Sequence, residues 1–303
     1  VITGLKIFTK MFRYIPSVQS FLQRKFFGKI HDVFGGNAKL LVTGGAPISD
    51  ECIRFYDDLG LKLRQGYGMS ESTGPVLFNP ISTNSVGNIY DNGNQFKLVP
   101  TDSNQLELLY KGCGLFSGYF KNKQATNAAL INGWLHTGDL ASVDKDGYLW
   151  IIGRAKELII GADGNNIFPN EIEEKFRSIK TMDGVSDICV FGIPVDNSQS
   201  ERVAMAILLD DPLKEQAVIE QINIKNKEFQ PYQRIQHTMF CDEFPVTTTL
   251  KVQRFKLTNE WLKRKSSEQV VETTTENELM LLQKNRPVLY QTMVLVAQLT
   301  KQD

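Results

Sequence analysis

Cysteine and histidine are scarce in this 303-residue chain, and the few present are scattered. The four cysteines (Cys52, Cys113, Cys189, Cys241) form no CxxC pair, and the three histidines (His31, His136, His237) lie equally far apart. That pattern argues against a zinc site or a disulfide framework and sets the expectation of a reducing, cytoplasmic location. An excess of one charge is also missing. Thirty-four basic side chains balance thirty-four acidic ones, so there is no bulk electrostatic case for nucleic acid or an anionic membrane. No stretch approaches the about 20 apolar residues of a membrane-spanning helix. The run from Pro287 to Leu299 is short and broken by Gln291 and Gln298. Peripheral membrane contact would have to come from exposed surface or from a segment outside these residues. No signal peptide is visible, and the chain opens without Met inside a helical pattern, which reads as a piece of a longer protein.

What is present describes an ordinary globular protein, 42% apolar and 22% charged, with length enough for two domains. Residues from about Ile2 to Phe34 mix apolar and basic side chains at helical spacing. Lys39–Thr43 reads as a short buried strand ending at Gly44-Gly45-Ala46-Pro47. Ser49 reads as an N-cap, with Asp50 and Glu51 in the first turn and Gly60 at the helix stop. Leu61–Arg64 begins a strand that runs into a Gly66–Gly68 turn. Strand, helix, strand is the α/β layout that puts ligands at the carboxyl ends of strands. Short strands follow from about Ser85, including Gln105–Leu109, and Asp144–Gly147 is a strong hairpin turn before Tyr148–Ile152. Pro169 is expected to open a helix with Ile172, Phe176 and Ile179 on one face and Glu171, Glu173 and Glu174 near its positive end. Strands at Ile188–Phe191 and Val203–Leu209 precede a polar helix near Leu213–Phe229. The boundaries drawn are 1–154, 155–265, and a linker with a helical tail over 266–303.

Several residues could carry chemistry. In Gln65-Gly66-Tyr67-Gly68-Met69-Ser70-Glu71-Ser72-Thr73 one glycine-flanked segment holds a ring that can pack on a base, a hydroxyl suited to phosphate and a carboxylate suited to Mg²⁺. The plain alternatives are a half-buried strand aromatic and a first-turn acid favouring the helix dipole. Gly44–Pro47 permits close backbone approach to a flat ligand, or is simply a tight turn. Asp139, after Gly138, can accept from ribose hydroxyls or serve as a turn aspartate. Arg154 offers a planar five-donor fork within a segment that also reads as a solvated linker. Lys251 taken alone is a surface lysine.

Together these segments resemble the adenylate-forming acyl-CoA synthetases, most closely the long-chain fatty acid–CoA ligases, over about residues 28–260. The points of resemblance are Gly44–Pro47, Gly66–Thr73, Ser85-Val86-Gly87, Gly118-Tyr119-Phe120 with Thr126, Gly133–Leu140, Asp146–Glu157, Gly164–Glu173 and Pro245–Lys251. The resemblance implies the C-terminal part of a large α/β AMP-binding domain with a small β-rich subdomain, followed by a small, mobile α+β cap. It implies that Gly45 and Ala46 line the adenine and acyl pocket, and that Tyr67 packs on adenine within a nucleotide site shared with Gly68 and Met69. Ser70 would contact the α-phosphate, Glu71 would hold Mg²⁺, and Asp139 with Arg154 would bind ribose. Lys156 falls at the hinge, Gly164 lies in the loop lining the CoA tunnel, and Lys251 matches the lysine needed for adenylation. The implied substrates are a fatty acid, ATP and CoA. The implied reaction is formation of acyl-AMP followed by thioester formation.

The resemblance has gaps. The family's Ser/Thr/Gly-rich phosphate loop with its lysine is absent from these residues, as is most of the wall expected around a long acyl chain. Lys123-Gln124-Ala125-Thr126 stands where the family often has Pro-Glu before Ala-Thr. Two alternatives remain at this stage: acyl transfer to an acyl carrier protein, and a nucleotide- or acyl-binding paralogue without catalysis.

Overall fold

The computed structural model describes residues 15–89, 93–195, 198, 200–248 and 251–266. The first part of the expected opening helix and the 267–303 tail lie outside the described residues. The chain divides into two compact units, with the boundary between Lys156 and Glu157.

The first unit begins with helix α1 (Pro16–Val33), which carries proline in its first turn and kinks at Phe27. Strand β1 (Leu41–Thr43), helix α2 (Asp50–Asp58) and strand β2 (Leu63–Met69) follow. Ser49 caps α2 as its sequence suggests, its hydroxyl accepting from the Cys52 amide at 3.2 Å. The far end of α2 is satisfied from α1. The Gln23 amide donates to the carbonyls of Asp57 and Asp58, both at 3.1 Å, and His31 Nε2 lies 2.8 Å from the Leu59 carbonyl. The Asp57 carbonyl also accepts from the Gly60 amide at 3.0 Å, so α1 adds to the local cap there and supplies side-chain partners for the carbonyls of Asp58 and Leu59.

Two expectations fail here. Lys39–Thr43 is shorter than anticipated and is not buried: Val42 is 59% exposed. Among the described residues the strand is the edge of a three-stranded sheet, parallel to β2 on one side only. The Gly66–Gly68 turn is also absent, because β2 runs straight through it to Met69. β2 pairs antiparallel with β3 (Gly74–Phe78), with a register shift at Tyr67/Gly68.

The rest of this unit is one antiparallel sheet. Its strands are β4 (Gly87–Asn88), β5 (Gln95–Pro100), β6 (Leu106–Lys111), β8 (Trp134–Val143) and β9 (Tyr148–Arg154), in the order β4-β9-β8-β6-β5. Helix α3 (Lys123–Ala129) leads into β7 (Leu130–Ile131), which pairs with β8. Leu77, Val86, Leu108, Ala141 and Leu149 form the core, with Tyr67 packed against it. The Asp144–Gly147 hairpin is as read: Asp144 Oδ1 accepts from the amides of Asp146 and Tyr148, both at 2.9 Å.

The second unit opens with the hairpin of β10 (Ile159–Ile160) and β11 (Asn166–Ile167). Helix α4 (Pro169–Lys175) starts at Pro169, but the helical run breaks at Phe176 and resumes as α5 (Arg177–Lys180). Ile172, Phe176 and Ile179 are nevertheless all buried on one face, each worth about 1.5–3 kcal/mol relative to exposure. Strands β12 (Val185–Pro194), β13 (Glu201–Leu209) and β14 (His237–Cys241) form a sheet, β12 antiparallel and β14 parallel to β13. Helix α6 (Glu215–Asn226) follows a short 3₁₀ turn, so it starts two residues later than its polar pattern suggests. A last helix, α7, covers residues 254–266. β12 alternates at period two. Ile188 and Val190 face the core shared with Phe176, Val218 and Ile222, while Cys189 and Phe191 face the one shared with Leu257 and Trp261. Both sheet faces are covered, which is why Ile188–Phe191 is an unbroken apolar run. No described helix is long and apolar enough to cross a membrane.

Candidate functional site

The site residues of the first unit gather where β2, β8 and β9 meet. Asp139 and Arg154 are direct register partners on β8 and β9. Arg154 Nε donates to Asp139 Oδ1 at 2.8 Å, and the Tyr67 hydroxyl donates to Asp139 Oδ2 at 2.6 Å. Asp139 is only 5% exposed, and a carboxylate so desolvated needs donors on its oxygens. It has one on each, and each oxygen keeps a second lone pair for a further donor. Tyr67 shows the cost of this arrangement. Burial foremost, then the Asp139 charge, pushes its hydroxyl well above the ordinary phenol range, so it stays a donor. The side chain therefore presents a packed ring and a hydroxyl committed to Asp139.

Asp139 is presented by an irregularity in β8, so the plain alternative of a turn aspartate does not hold. The register between β6 and β8 shifts between Glu107 and Leu109. Glu107 spans that shift: Oε1 accepts from the Gly138 amide at 2.9 Å, and Oε2 lies 2.9 Å from His136 Nδ1. Thr137 Oγ1 donates to the Leu108 carbonyl at 2.6 Å and accepts from the Asp139 amide at 3.1 Å. Gly138 sits at φ +70°, a left-handed conformation in which a Cβ is strained. Sequence reasoning assigned no role to Glu107 or Thr137. Their work is set by strand register, which no local pattern discloses.

Ser70, Glu71 and Ser72 form a single 3₁₀ turn after β2. Ser70 is exposed and Glu71 half-buried. Glu71 Oε1 accepts from the Tyr119 hydroxyl at 2.8 Å, and the Glu71 carbonyl accepts from the Phe116 amide at 2.9 Å. Burial, then the hydrogen bond to Glu71, pushes the Tyr119 hydroxyl up to about 12. Tyr119 belongs to the Gly118-Tyr119-Phe120 segment, whose spacing alone gives no hint of contact with Glu71.

A groove of about 560 Å³ runs beside these residues, lined in part by Thr43, Gly44, Gly45, Gly66, Gly68 and Ser70. That size is within the range of small-ligand clefts. Its wall needs glycine at residue 68: a Cβ there would stand 2.1 Å from the Gly74 carbonyl oxygen. Gly45 and Ala46 are exposed at the mouth of β1, and Met69 closes β2. Among the described residues no three His, Cys, Asp or Glu side chains cluster to hold a metal ion. A single carboxylate, Glu71, suits Mg²⁺, which ordinarily keeps waters and substrate phosphates as its other ligands.

The remaining candidates lie at or beyond the unit boundary. Lys156 is the middle residue of the Ala155–Glu157 3₁₀ turn, in which the boundary falls. Gly164 is exposed in the β10–β11 hairpin, its amide donating to the Gly161 carbonyl at 2.9 Å. Lys251 is exposed on a loop closed by the Val246–Val252 bridge. Its amide donates to Thr247 Oγ1 at 3.1 Å. One residue that sequence reasoning passed over is Arg254, whose guanidinium reaches Glu157, Glu173, Asn170 and the Val190 carbonyl. Glu173, expected near the positive end of its helix, is turned inward to that arginine and to the Val190 amide.

Residues 2–120 match the family described as AMP-binding enzyme. The chain is 40% identical over 162 residues to the long-chain-fatty-acid–CoA ligase FadD15 of Mycobacterium bovis, covering 51% of this chain and 26% of that protein. It is 30% identical over 247 residues to the 2-succinylbenzoate–CoA ligase of Listeria monocytogenes, covering 80% and 50%. Among solved structures it is similar to the anthranilate CoA ligase AuaEII in complex with anthranoyl-AMP, at TM-score 0.60 and 26% identity over 73% of this chain and 44% of that one. The chain thus spans between a quarter and a half of the length of these curated relatives.

Proposed function

We propose, for a chain whose residues 2–120 match the AMP-binding enzyme family, that the protein of which it is part activates a long-chain fatty acid with ATP. The acyl-AMP so formed is then converted to the CoA thioester. The fatty acid reading draws on the FadD15 similarity. The relative that acts on 2-succinylbenzoate means that kinship alone does not set the acid. Two observations carry the nucleotide reading: the Tyr67–Asp139–Arg154 constellation, and a groove lined by Gly66 and Gly68, the residues that flank Tyr67 in β2.

The chain's own residues divide the work in a physically reasonable way. Asp139, already oriented by two donors, accepts from the ribose hydroxyls with its spare lone pairs, and Arg154 adds a donor beside it. Ser70, exposed at the end of β2, donates to an α-phosphate oxygen. Gly44, Gly45 and Ala46 let backbone approach the flat adenine. Glu71 would hold Mg²⁺, which offsets phosphate charge when bound. A fatty carboxylate approaching an anionic phosphate meets repulsion of about 4 kcal/mol at 4 Å and an effective dielectric of 20. The Lys251 ammonium offsets that charge and orients the attacking oxygen. Once pyrophosphate has left, the lysine has no further part. A swivel at Lys156 that withdraws it and presents the Gly164 loop admits the CoA thiol.

The test is ATP–pyrophosphate exchange by the full-length protein across a series of fatty acids. Exchange that depends on a fatty acid supports the reading. Its absence with every acid of the series overturns it.

A further inference from the structure

Arg254 is bonded around its whole guanidinium. Nη1 donates to Glu157 Oε2 at 2.6 Å. Nη2 donates to Asn170 Oδ1 at 2.9 Å and to both oxygens of Glu173, at 2.8 and 3.0 Å. Nε donates to the Val190 carbonyl at 2.9 Å. Glu173 Oε1 in turn accepts from the Val190 amide at 2.7 Å. Burial pushes the Glu173 carboxyl up while Arg254 opposes the shift, so the carboxylate depends on its cation.

The two ends of this network matter more than its size. Glu157 is the first residue of the second unit. At the other end, Arg254 stands three residues after Lys251, and the intervening backbone is stiff. Val252 bridges Val246, the Gln253 amide donates to the Pro245 carbonyl at 2.7 Å, and the Thr247 amide donates to the Lys251 carbonyl at 2.9 Å. One planar cation therefore joins the point where the chain enters this unit to the base of the Lys251 loop. Only a fork can do this, since an ammonium cannot reach Glu157, Glu173 and the Val190 carbonyl together.

We infer that Arg254 is a positioning residue that locks the Lys251 loop to Glu157, so that rotation at Lys156 carries the Lys251 amine as part of one rigid body. This rests on the adenylation reading above. Without the lock, the amine would arrive on a slack loop and spend part of its time out of place.

The experiment compares wild type, Arg254→Lys and Glu157→Gln in the full-length protein. Three readouts are taken: amide hydrogen exchange at Thr247, Lys251 and Gln253, ATP–pyrophosphate exchange, and thiolysis of supplied acyl-AMP. In Arg254→Lys, exchange at those amides speeds up on the order of tenfold, as local opening becomes easier. Adenylation falls about tenfold while thiolysis stays within about twofold, because only the first half-reaction uses the lysine. Glu157→Gln shows the same split to a smaller extent, and it decides the matter if Arg254→Lys does not fold. Equal loss in both half-reactions, or unchanged protection of the three amides, overturns the inference. Should the wild type show no pyrophosphate exchange, the adenylation reading falls, and the amide protection alone still decides whether the lock exists.

Discussion

Asp139 and Tyr67, 72 residues apart in the chain, are joined by a 2.6 Å hydrogen bond from the tyrosine hydroxyl to a buried carboxylate. Arg154 engages the other oxygen of the same carboxylate. A side chain that sequence reasoning assigns to packing on a base is therefore also a support for the group assigned to ribose.

Removing that support has a measurable cost. Tyr67→Phe keeps the ring in the core and takes away one hydrogen bond to a charged acceptor, worth about 1.5–3 kcal/mol. The urea midpoint is expected to fall accordingly, with nucleotide affinity weakened as Asp139 loses its orientation. An unchanged midpoint would mean the hydroxyl contributes nothing.

The pH dependence follows from the same tyrosines. Tyr67 and Tyr119 both have hydroxyls pushed above the ordinary value of 10.0, Tyr119 to about 12. Above pH 10 the unfolded chain loses these protons first and so binds fewer than the folded one, which makes stability fall as pH rises. Below pH 10 both states hold the protons and these groups contribute no slope. Denaturant titrations at pH 9, 10.5 and 11.5 should show this decline, and the double variant Tyr67→Phe, Tyr119→Phe should make it shallower, leaving the part that the raised thiols of Cys189 and Cys241 and the Tyr110 hydroxyl contribute.

Gly68→Ala and Gly138→Ala separate two reasons for glycine. At residue 68 a Cβ collides with the Gly74 backbone, so β2 and β3 must part and destabilisation exceeds about 3 kcal/mol, the upper end of ordinary substitutions. At residue 138 no atom lies within 4 Å of a Cβ, but φ is +70°, and the strain costs about 1–2 kcal/mol. Thermal unfolding of the two variants checks the order. Reversal would show that conformation outweighs contact.

Lys251→Ala should leave folding within about 0.5 kcal/mol, as expected of an exposed side chain. On the adenylation reading it abolishes fatty-acid-dependent pyrophosphate exchange in the full-length protein and largely spares thiolysis of supplied acyl-AMP. Equal loss of both half-reactions would remove the lysine from its proposed role.

Glu71→Gln keeps an acceptor for Tyr119 and removes the charge. Binding of ATP should then require roughly tenfold more Mg²⁺, the equivalent of about 1.4 kcal/mol, as read by titration calorimetry at fixed nucleotide. An unshifted Mg²⁺ requirement would take Glu71 out of the metal site.

Features with short-range causes were legible before any coordinates. The Ser49 cap acts over three residues and the Asp144 turn over four. The Ile172/Phe176/Ile179 face survives the break at Phe176, because the break is confined to that residue and backbone hydrogen bonds from Phe176 to Ile172 and from Ile179 to Phe176 span it. The glycines, hydroxyl and carboxylate of Gly66–Glu71 are side-chain types suited to a nucleotide, and the proposal made for them starts from composition alone.

Other features depend on what comes to lie alongside. Val42 is exposed, and among the described residues β1 pairs on one side only. Glu107 supports Asp139 because β6 and β8 slip in register, and Arg254 gathers partners 64 to 97 residues away. Hydrogen-bond chemistry is written in each side chain, so the sequence by itself determined which groups could bind a nucleotide and where helices and turns begin. Which donor meets which acceptor depends on distances that close only when strands pair and helices pack, and that choice belonged to the tertiary structure alone.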